Sequence, residues 1–170
     1  MHLSFISMFK RQRGAAAVEF SIIALLFFTI LFAIFEFGRM LYIYNTMQEV
    51  SRRAAREAVV RWIDAGETIK SLALFGGAHI PAGAEVAAAN INIQYLNKNA
   101  EPATPRPSDP GDNLSACNDI TRTDSCIVGV RVSIDNVRYR PMVNLFGFLS
   151  IDLPTAGITM PAESLGFTVN

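Results

Sequence analysis

Glu19 is the residue whose chemistry stands out first, because it is the only ionisable residue between Gly14 and Phe35. A carboxylate inside a bilayer costs roughly 2.5–3.5 kcal/mol on insertion scales, and ionisable residues there are usually functional and paired. One interpretation places Glu19 in the headgroup region, solvated and without a role. The other pairs it with a positive group once helices assemble side by side, for which the free α-amino group of a neighbouring helix is the natural candidate. That pairing requires a cut shortly before Glu19, and Gly14 offers one.

Cys117 and Cys126 are the second chemical pair, and they flank a short polar stretch, 118–125. Two cysteines that close a short loop in an exported domain predict a disulfide. A zinc site would need four ligands, and the two histidines, His2 and His79, are remote in the sequence. A redox pair usually has two intervening residues, whereas this pair has eight. We therefore favour a structural disulfide over the metal and redox alternatives.

The sequence offers little for catalysis. It contains no Gly-x-Ser-x-Gly motif and no metal-ligand spacing, and Gly76-Gly77 lacks the Lys-Ser/Thr that follows in a phosphate-binding loop. Its carboxylates outside the apolar run are scattered, with none paired for acid–base chemistry. The formal net charge is zero at pH 7, so nothing indicates nucleic acid. We expect a protein that is not an enzyme and has no cofactor or metal.

The apolar run from Ala15 to Phe35 is the element that would position Glu19. A helix needs about 20 mostly apolar residues to cross a bilayer, and this run has that length with no polar face. The alternative is a cleaved secretory signal peptide, in which small residues follow a shorter apolar region. Here the small residues, 15–17, precede it. The sequence therefore predicts a single transmembrane helix.

Charge gives the expected orientation of this helix. Lys10, Arg11 and Arg13 precede it with no acid among them, and basic flanks stay cytoplasmic. Arginines also follow the helix, beginning with Arg39, which weakens the rule. The short leader still favours a cytoplasmic N-terminus and an exported C-terminal domain.

A basic leader, a glycine, a glutamate and an apolar helix, in this order, resemble the type IV prepilin signature. In that family a membrane-embedded aspartyl peptidase cuts after the glycine, on the cytoplasmic side. Glycine suits a cut because its backbone adopts conformations closed to other residues. The resemblance implies that Gly14 and Ala15 flank the processing site and that Glu19 and Phe20 serve assembly. Glu19 would then be the fifth residue of a mature chain that begins with Ala15, where type IV pilins commonly have phenylalanine.

Three stretches make the resemblance more specific. They are Gly14-Ala15-Ala16-Ala17-Val18-Glu19-Phe20, Glu36-Phe37-Gly38-Arg39 and Ser51-Arg52-Arg53-Ala54-Ala55-Arg56-Glu57-Ala58. Together they resemble the TadE-like pseudopilins of the tight-adherence (Flp) pilus apparatus over residues 13–60, and residues 159–164 are weakly similar to the closing strand of that family. The resemblance implies as partners a prepilin peptidase, the other pilins and pseudopilins of the apparatus, and membrane lipid, but no nucleic acid.

The helical pattern continues beyond the apolar run. Apolar residues recur three or four positions apart at Met47, Val50, Ala54, Ala58 and Trp62. No proline interrupts the chain before Pro81, so we predict one helix over 15–63 and a short second helix that ends at Gly76-Gly77.

The remainder of the chain predicts a sheet. Apolar and polar residues alternate at 90–95 and 128–134, and 158–169 supplies one or two final strands. The predicted fold class is α+β: a long N-terminal helix, first transmembrane and then amphipathic, packed on a small antiparallel sheet. This agrees with the pilin-like fold that the resemblance implies.

Three features leave alternatives open. Residues 97–126 predict a long proline-rich loop, and such loops are usually functional or disordered. The apolar segment 142–151 is either an exposed assembly patch or, as we favour, core folded over the sheet. Glu36 and Arg39 lie three apart on one helix face and mark either a contact with a partner or, as we favour, an interfacial ion pair with Arg39 reaching to water.

These features predict a leader over 1–14, a helix over 15–63 and a periplasmic α+β domain over 64–170. The expected function is that of a minor pseudopilin, matured by prepilin peptidase after Gly14, in assembly of a tight-adherence pilus. The expected location is the inner membrane, single-pass, or a surface pilus. The alternative is an uncleaved membrane-anchored periplasmic binding or adhesion module that uses the loop 97–126 for recognition.

Overall fold

One long helix, α1, organises the fold. The computed structural model describes the backbone of residues 9–167 and the side chains of residues 14–167, so positions 1–8 of the predicted leader lie outside the described residues. Helix α1 spans Phe9–Val60, 52 residues, or about 78 Å at 1.5 Å per residue. It confirms the predicted continuous helix but begins before Ala15. It ends before Ile63, because Trp62 adopts an extended backbone.

A short second helix follows, as predicted. A 3₁₀ turn at Ile63–Ala65 leads into α2, Gly66–Ala73, which packs on α1. Phe75 and Gly76 both have positive φ angles, 60° and 76°, and this left-handed backbone closes the helix.

The main sheet has three antiparallel strands. They are β3 (Ile91–Leu96), β4 (Gly129–Ile134) and β7 (Ala156–Pro161), with β4 in the centre. Alternate β4 residues, Val130, Val132 and Ile134, are fully buried, which confirms the predicted alternation. Val128, expected in the same strand, precedes β4 and is exposed.

Two short antiparallel ribbons complete the β-structure. Strand β1 (His79–Ile80) pairs with β2 (Gly83–Ala87), and β5 (Arg138–Tyr139) pairs with β6 (Ile151–Asp152). Asn136, with a φ of 58°, makes the turn that separates β5 from β4.

The core lies between the second half of α1 and the main sheet. The stripe residues Met47, Val50, Ala54 and Ala58 are fully buried, while Trp62 packs at the margin. Helix α1 contacts both β4 and β7. The molecule is therefore α+β, with a long N-terminal helix packed on small antiparallel sheets, as the sequence predicts.

The folded domain lies along α1 and has two ends. At one end the Tyr139 hydroxyl lies 2.9 Å from the Glu36 carbonyl oxygen. At the other, the N–H groups of Glu163 and Leu165 donate to the Val59 carbonyl, each at 3.2 Å. About 35 Å of helix separates these positions. We call them the Glu36 end and the Val59 end.

The segment 97–126 is not a continuous loop, and that prediction is wrong in its middle. Helix α3 occupies Pro110–Asn118. The Asp109 side chain caps it by accepting from the Asp112 N–H at 2.8 Å, and Pro110 stands in its first turn, where a missing N–H costs nothing. This proline is one of those that made 97–126 look like a proline-rich loop, whereas in the structure it starts a helix. Because Leu96 pairs with Gly129, which pairs with Pro161, the segment lies at the Val59 end.

The favoured interpretation of 142–151 as core is also wrong. Residues Asn144–Leu149 form a 3₁₀ helix in which Phe146 is buried, but Met142 is 76% and Phe148 80% exposed. The reason is that α1 already covers the inner face of the main sheet. The segment instead lies beside the two-residue strands β5 and β6, which offer little surface to cover.

Candidate assembly and anchoring site

The first half of α1 exposes apolar side chains on all sides. The helix is long and apolar enough to cross a membrane, and none of its most apolar 18-residue window is buried by the rest of the described chain. Phe20, which the resemblance assigns to assembly, is exposed with its neighbours Ile22 and Ile23. This surface must be covered by something outside the described chain, either lipid or other apolar helices.

The predicted processing residues lie within this exposed helix. Gly14 and Ala15 are helical and exposed, and a Cβ added to Gly14 would meet no described atom within 4 Å. A glycine in a helix interior costs roughly 0.5–1 kcal/mol relative to alanine. Nothing in the packing of the described chain requires that cost at position 14.

Glu19 lies one turn further along and is also exposed. None of the hydrogen bonds and ion pairs among the described side chains includes it. The nearby Ser21 hydroxyl donates to the Ala17 carbonyl at 2.7 Å, so this polar group is satisfied within the helix. Glu19 is therefore free to accept from a group on another molecule.

Glu36 behaves differently, because the folded domain buries it. Only 5% of the residue is exposed, one position after the apolar run ends. Its carboxylate accepts from the Tyr139 hydroxyl and, at 2.8 Å, from the Val143 N–H. Burial and the hydrogen bond to Glu36 raise the pKa of Tyr139, which keeps the hydroxyl protonated as a donor.

Arg39, one turn further along, makes a second link to the domain. Its guanidinium bonds the Glu85 carboxylate at 2.6 Å and donates to the Arg140 carbonyl at 2.9 Å. It also lies over the Tyr139 ring, 5.2 Å from the ring centroid. Residues from β2, β5 and the segment after β5 therefore converge on one turn of α1.

The prediction of an ion pair between Glu36 and Arg39 is wrong. Each side chain instead bonds to the domain, Glu36 to Tyr139 and Val143, and Arg39 to Glu85 and Arg140. Sequence reasoning missed these partners because they lie up to 107 positions away. The available signal was the unusual acid at the end of an apolar run, since such a group needs a donor.

The structure contains the predicted disulfide between Cys117 and Cys126. It joins the end of α3 to the segment just before β4 at the Val59 end, far from Glu19. Asn113 adds a second tie there, because its carboxamide oxygen accepts from the Ile127 N–H at 2.8 Å. The disulfide stabilises the domain and takes no part in the anchoring site.

No metal centre accompanies these features in the described side chains. Among residues 14–167, no group of three or more His, Cys, Asp and Glu side chains lies close enough together to hold a metal ion.

Residues 14–56 match the model of a known protein family, described as TadE-like protein. This part of the chain is similar to TadE-like proteins. The match begins at Gly14 and covers Glu19, Glu36 and Arg39, whereas the residues that bond Glu36 and Arg39 lie outside it. No curated protein and no solved structure matches the chain. The similarity of residues 14–56 to this family suggests involvement in assembly of the tight-adherence pilus and association with components of that pilus.

Proposed function

We propose that this chain is a minor pseudopilin that acts in assembly of a tight-adherence pilus and is matured by prepilin peptidase after Gly14. The observation that carries the proposal is the exposed apolar helix within the TadE-like match. Its apolar run contains one carboxylate, Glu19, which has no partner among the described side chains. Gly14 supports the processing step, because no packing within the described chain explains a glycine there. The expected location is the inner membrane, with the N-terminus cytoplasmic and the domain periplasmic, or the pilus itself.

The physical mechanism is helix bundling. An apolar helix leaves lipid readily only when it enters another apolar environment, such as a bundle of similar helices. Glu19 is costly in that bundle unless it finds a cation. Cleavage after Gly14 would create the α-amino group of Ala15 on each neighbouring helix. Pairing of that group with Glu19 would fix the axial register between two subunits.

The Glu36 end makes the domain part of the same unit. Tyr139 and Val143 bond Glu36, and Glu85 bonds Arg39, so the domain is attached where the apolar run ends. A displacement of the helix along the bundle would then carry the domain with it. The function needs no catalysis and no cofactor, and its partners are the peptidase, other pilins and pseudopilins, and lipid.

Intact-mass measurement tests the processing step. Full-length protein purified from membranes is compared with and without co-expressed prepilin peptidase of the same system. We expect a loss equal to the mass of residues 1–14 only with the peptidase, and a Gly14→Leu variant should keep its full mass. An unchanged mass in both samples would contradict the proposal.

A glutamate variant tests the assembly step. Glu19→Ala should insert into the membrane and be cleaved, but should fail to join the pilus or to support its assembly. Glu49→Ala is the matched control, because Glu49 is an exposed glutamate on the same helix outside the apolar run. Normal pili from the Glu19→Ala strain would count against a role for this carboxylate.

A second function is an uncleaved anchor that presents a periplasmic binding or adhesion module. Helix α1 continues without a break across Gly14, which suits an intact chain. A partly apolar pocket at the Val59 end, lined among others by Leu114, Val128 and Phe167, offers a surface for a ligand. The same mass measurement separates the two functions, because the anchor keeps residues 1–14.

A further inference from the structure

The exposed apolar segment 142–151, which we call the exit patch, is a surface that the proposed function leaves unused. Five large apolar side chains of this short segment are exposed: Met142, Leu145, Phe148, Leu149 and Ile151. Phe148 is 80% exposed, and its ring lies 6.5 Å from that of the buried Phe146. Apolar side chains concentrated in this way usually mark a contact surface.

The position of the exit patch along α1 indicates what covers it. The Val143 N–H donates to the Glu36 carboxylate at 2.8 Å, and Glu36 directly follows the apolar run 15–35. That run is about 31 Å long at 1.5 Å per residue, close to the hydrocarbon thickness of a bilayer. A helix that crosses the bilayer with this run therefore holds Val143 at the bilayer surface.

The surroundings of the exit patch suit that location. Arg138 and Arg140 precede it and are exposed, and the Arg138 guanidinium lies 4.0 Å from Asp152, which follows it. Basic side chains beside apolar ones are typical of segments that lie in the membrane interface. The Tyr42 hydroxyl, on the next turns of α1, donates to the Pro81 carbonyl at 3.1 Å at the same end of the domain. Aromatic residues with polar tips are enriched at this depth.

We infer that the exit patch inserts into the headgroup–acyl boundary of the bilayer on the domain side, as a second membrane contact beside α1. Interfacial segments of this kind reach about 5–10 Å into the boundary. With α1 and the exit patch both in contact with the bilayer, the domain has a fixed rotation about the helix axis. The side of the domain that faces a neighbouring subunit is then set before assembly begins. The inference rests on the membrane anchorage of the proposed function.

Depth-dependent fluorescence quenching tests the inference on the full-length chain. Trp62 is the only tryptophan, so Trp62→Phe gives a silent background into which single tryptophans are placed. The variants are reconstituted one chain per nanodisc, in phosphatidylethanolamine and phosphatidylglycerol. Spin-labelled lipids carry the quencher near the headgroup or near the bilayer centre. One chain per disc removes a second copy as the cover of the patch.

Phe148→Trp is the test position, and Leu145→Trp is a second one in case the first disturbs the local fold. We expect both to lose emission, and to lose more with the quencher near the headgroup than with the deep one. Ile120→Trp is the matched control, because Ile120 is 90% exposed but lies at the Val59 end. It should lose no emission to either lipid.

Phe28→Trp, in the middle of the apolar run, separates failure of this inference from failure of the anchorage. Quenching at position 28 without quenching at 148 and 145 would overturn the exit patch as a lipid contact and leave the anchor intact. Absence of quenching at position 28 would overturn both. Blue-shifted but unquenched emission at 148 would mean that other residues of the same chain cover the side chain, and would equally overturn the inference.

Discussion

The two halves of α1 show how one helix meets two solvents. Over 15–35 apolar side chains point in every direction and the described chain buries none of the most apolar window. Over 43–59 they lie on one face, and that face is fully buried against the sheet. Neither half contains a proline that would break the helix. In the first half a helix is also the way for a single bilayer-spanning segment to pair its own backbone polar groups. The two halves therefore differ in the residues on the helix face that does not pack against the domain, and not in helical structure.

The boundary between the halves is where the comparison teaches most. An apolar helix that continues into an amphipathic one leaves a turn that belongs to both environments. Glu36 and Arg39 occupy this turn, and both are held by the domain. The hydrogen bonds of Glu36 and Arg39 therefore lie between the half of α1 that faces lipid and the half that packs in the core, at a turn that neither environment holds. Substitutions in each half and at the boundary should separate these contributions.

The largest effect is expected in the domain half. Met47→Ala should lower the free energy of unfolding of the domain by about 2–5 kcal/mol, because Met47 is fully buried and its loss leaves a cavity. Denaturant unfolding of the full-length chain in mild detergent, followed by Trp62 fluorescence, measures this. Phe28→Ala is the counterpart in the membrane half and should leave domain stability unchanged. Equal losses from both variants would mean that the halves do not differ as described.

The next effect is expected at the boundary. Tyr139→Phe removes the hydroxyl that bonds the buried Glu36 carboxylate, and a buried acceptor without its donor costs about 1–3 kcal/mol. Tyr42→Phe is the control, because its exposed hydroxyl bonds only the Pro81 carbonyl and should cost about 0.5 kcal/mol. The same unfolding measurement applies. Indistinguishable tyrosine variants would show that the hydrogen bond from Tyr139 to the buried Glu36 contributes no more than an exposed one.

The smallest effect on domain stability is expected when the shape of the cation at position 39 is changed and its charge is kept. Arg39→Lys keeps the charge but cannot reach the Glu85 carboxylate and the Arg140 carbonyl with one planar fork, so we expect a loss of about 1 kcal/mol. Arg61→Lys alters an exposed pair with Glu57 and should change stability by less than about 0.5 kcal/mol. If the Arg39→Lys variant were as stable as the unchanged protein, the positive charge of residue 39 alone would explain its contribution to stability.

Both halves of the helix were predictable from local patterns: the first from the length of its apolar run, the second from the spacing of its apolar residues. In the second half, spacing alone predicts a buried helix face, which consists of Met47, Val50, Ala54 and Ala58. The alternation in β3 and β4 is equally local. The class of fold followed from these patterns, and so did the disulfide, from two cysteines close in sequence.

The boundary contacts and the exit patch could not be predicted in the same way. The partners of Glu36 and Arg39 come from distant strands whose placement depends on the whole fold. The apolar composition of 142–151 does not show whether the inner face of the sheet is available for it to pack on. In the structure α1 covers that face. Pro110 is a further case, because a proline starts a helix or interrupts one according to where its turn begins.

The end of α1 at Val59 and Val60 has a consequence for the order in which the protein folds during synthesis. The N–H groups of Glu163, Leu165 and Gly166 satisfy the carbonyls of Val59 and Val60, which a helix end leaves without partners. Ser164 lies 104 positions after Val60, so these donors are made long after the helix itself. During synthesis the helix therefore keeps an open terminus until almost the whole described chain exists. Completion of the native state is a late event, and a nascent chain stopped before position 163 would expose that terminus to water or to a chaperone.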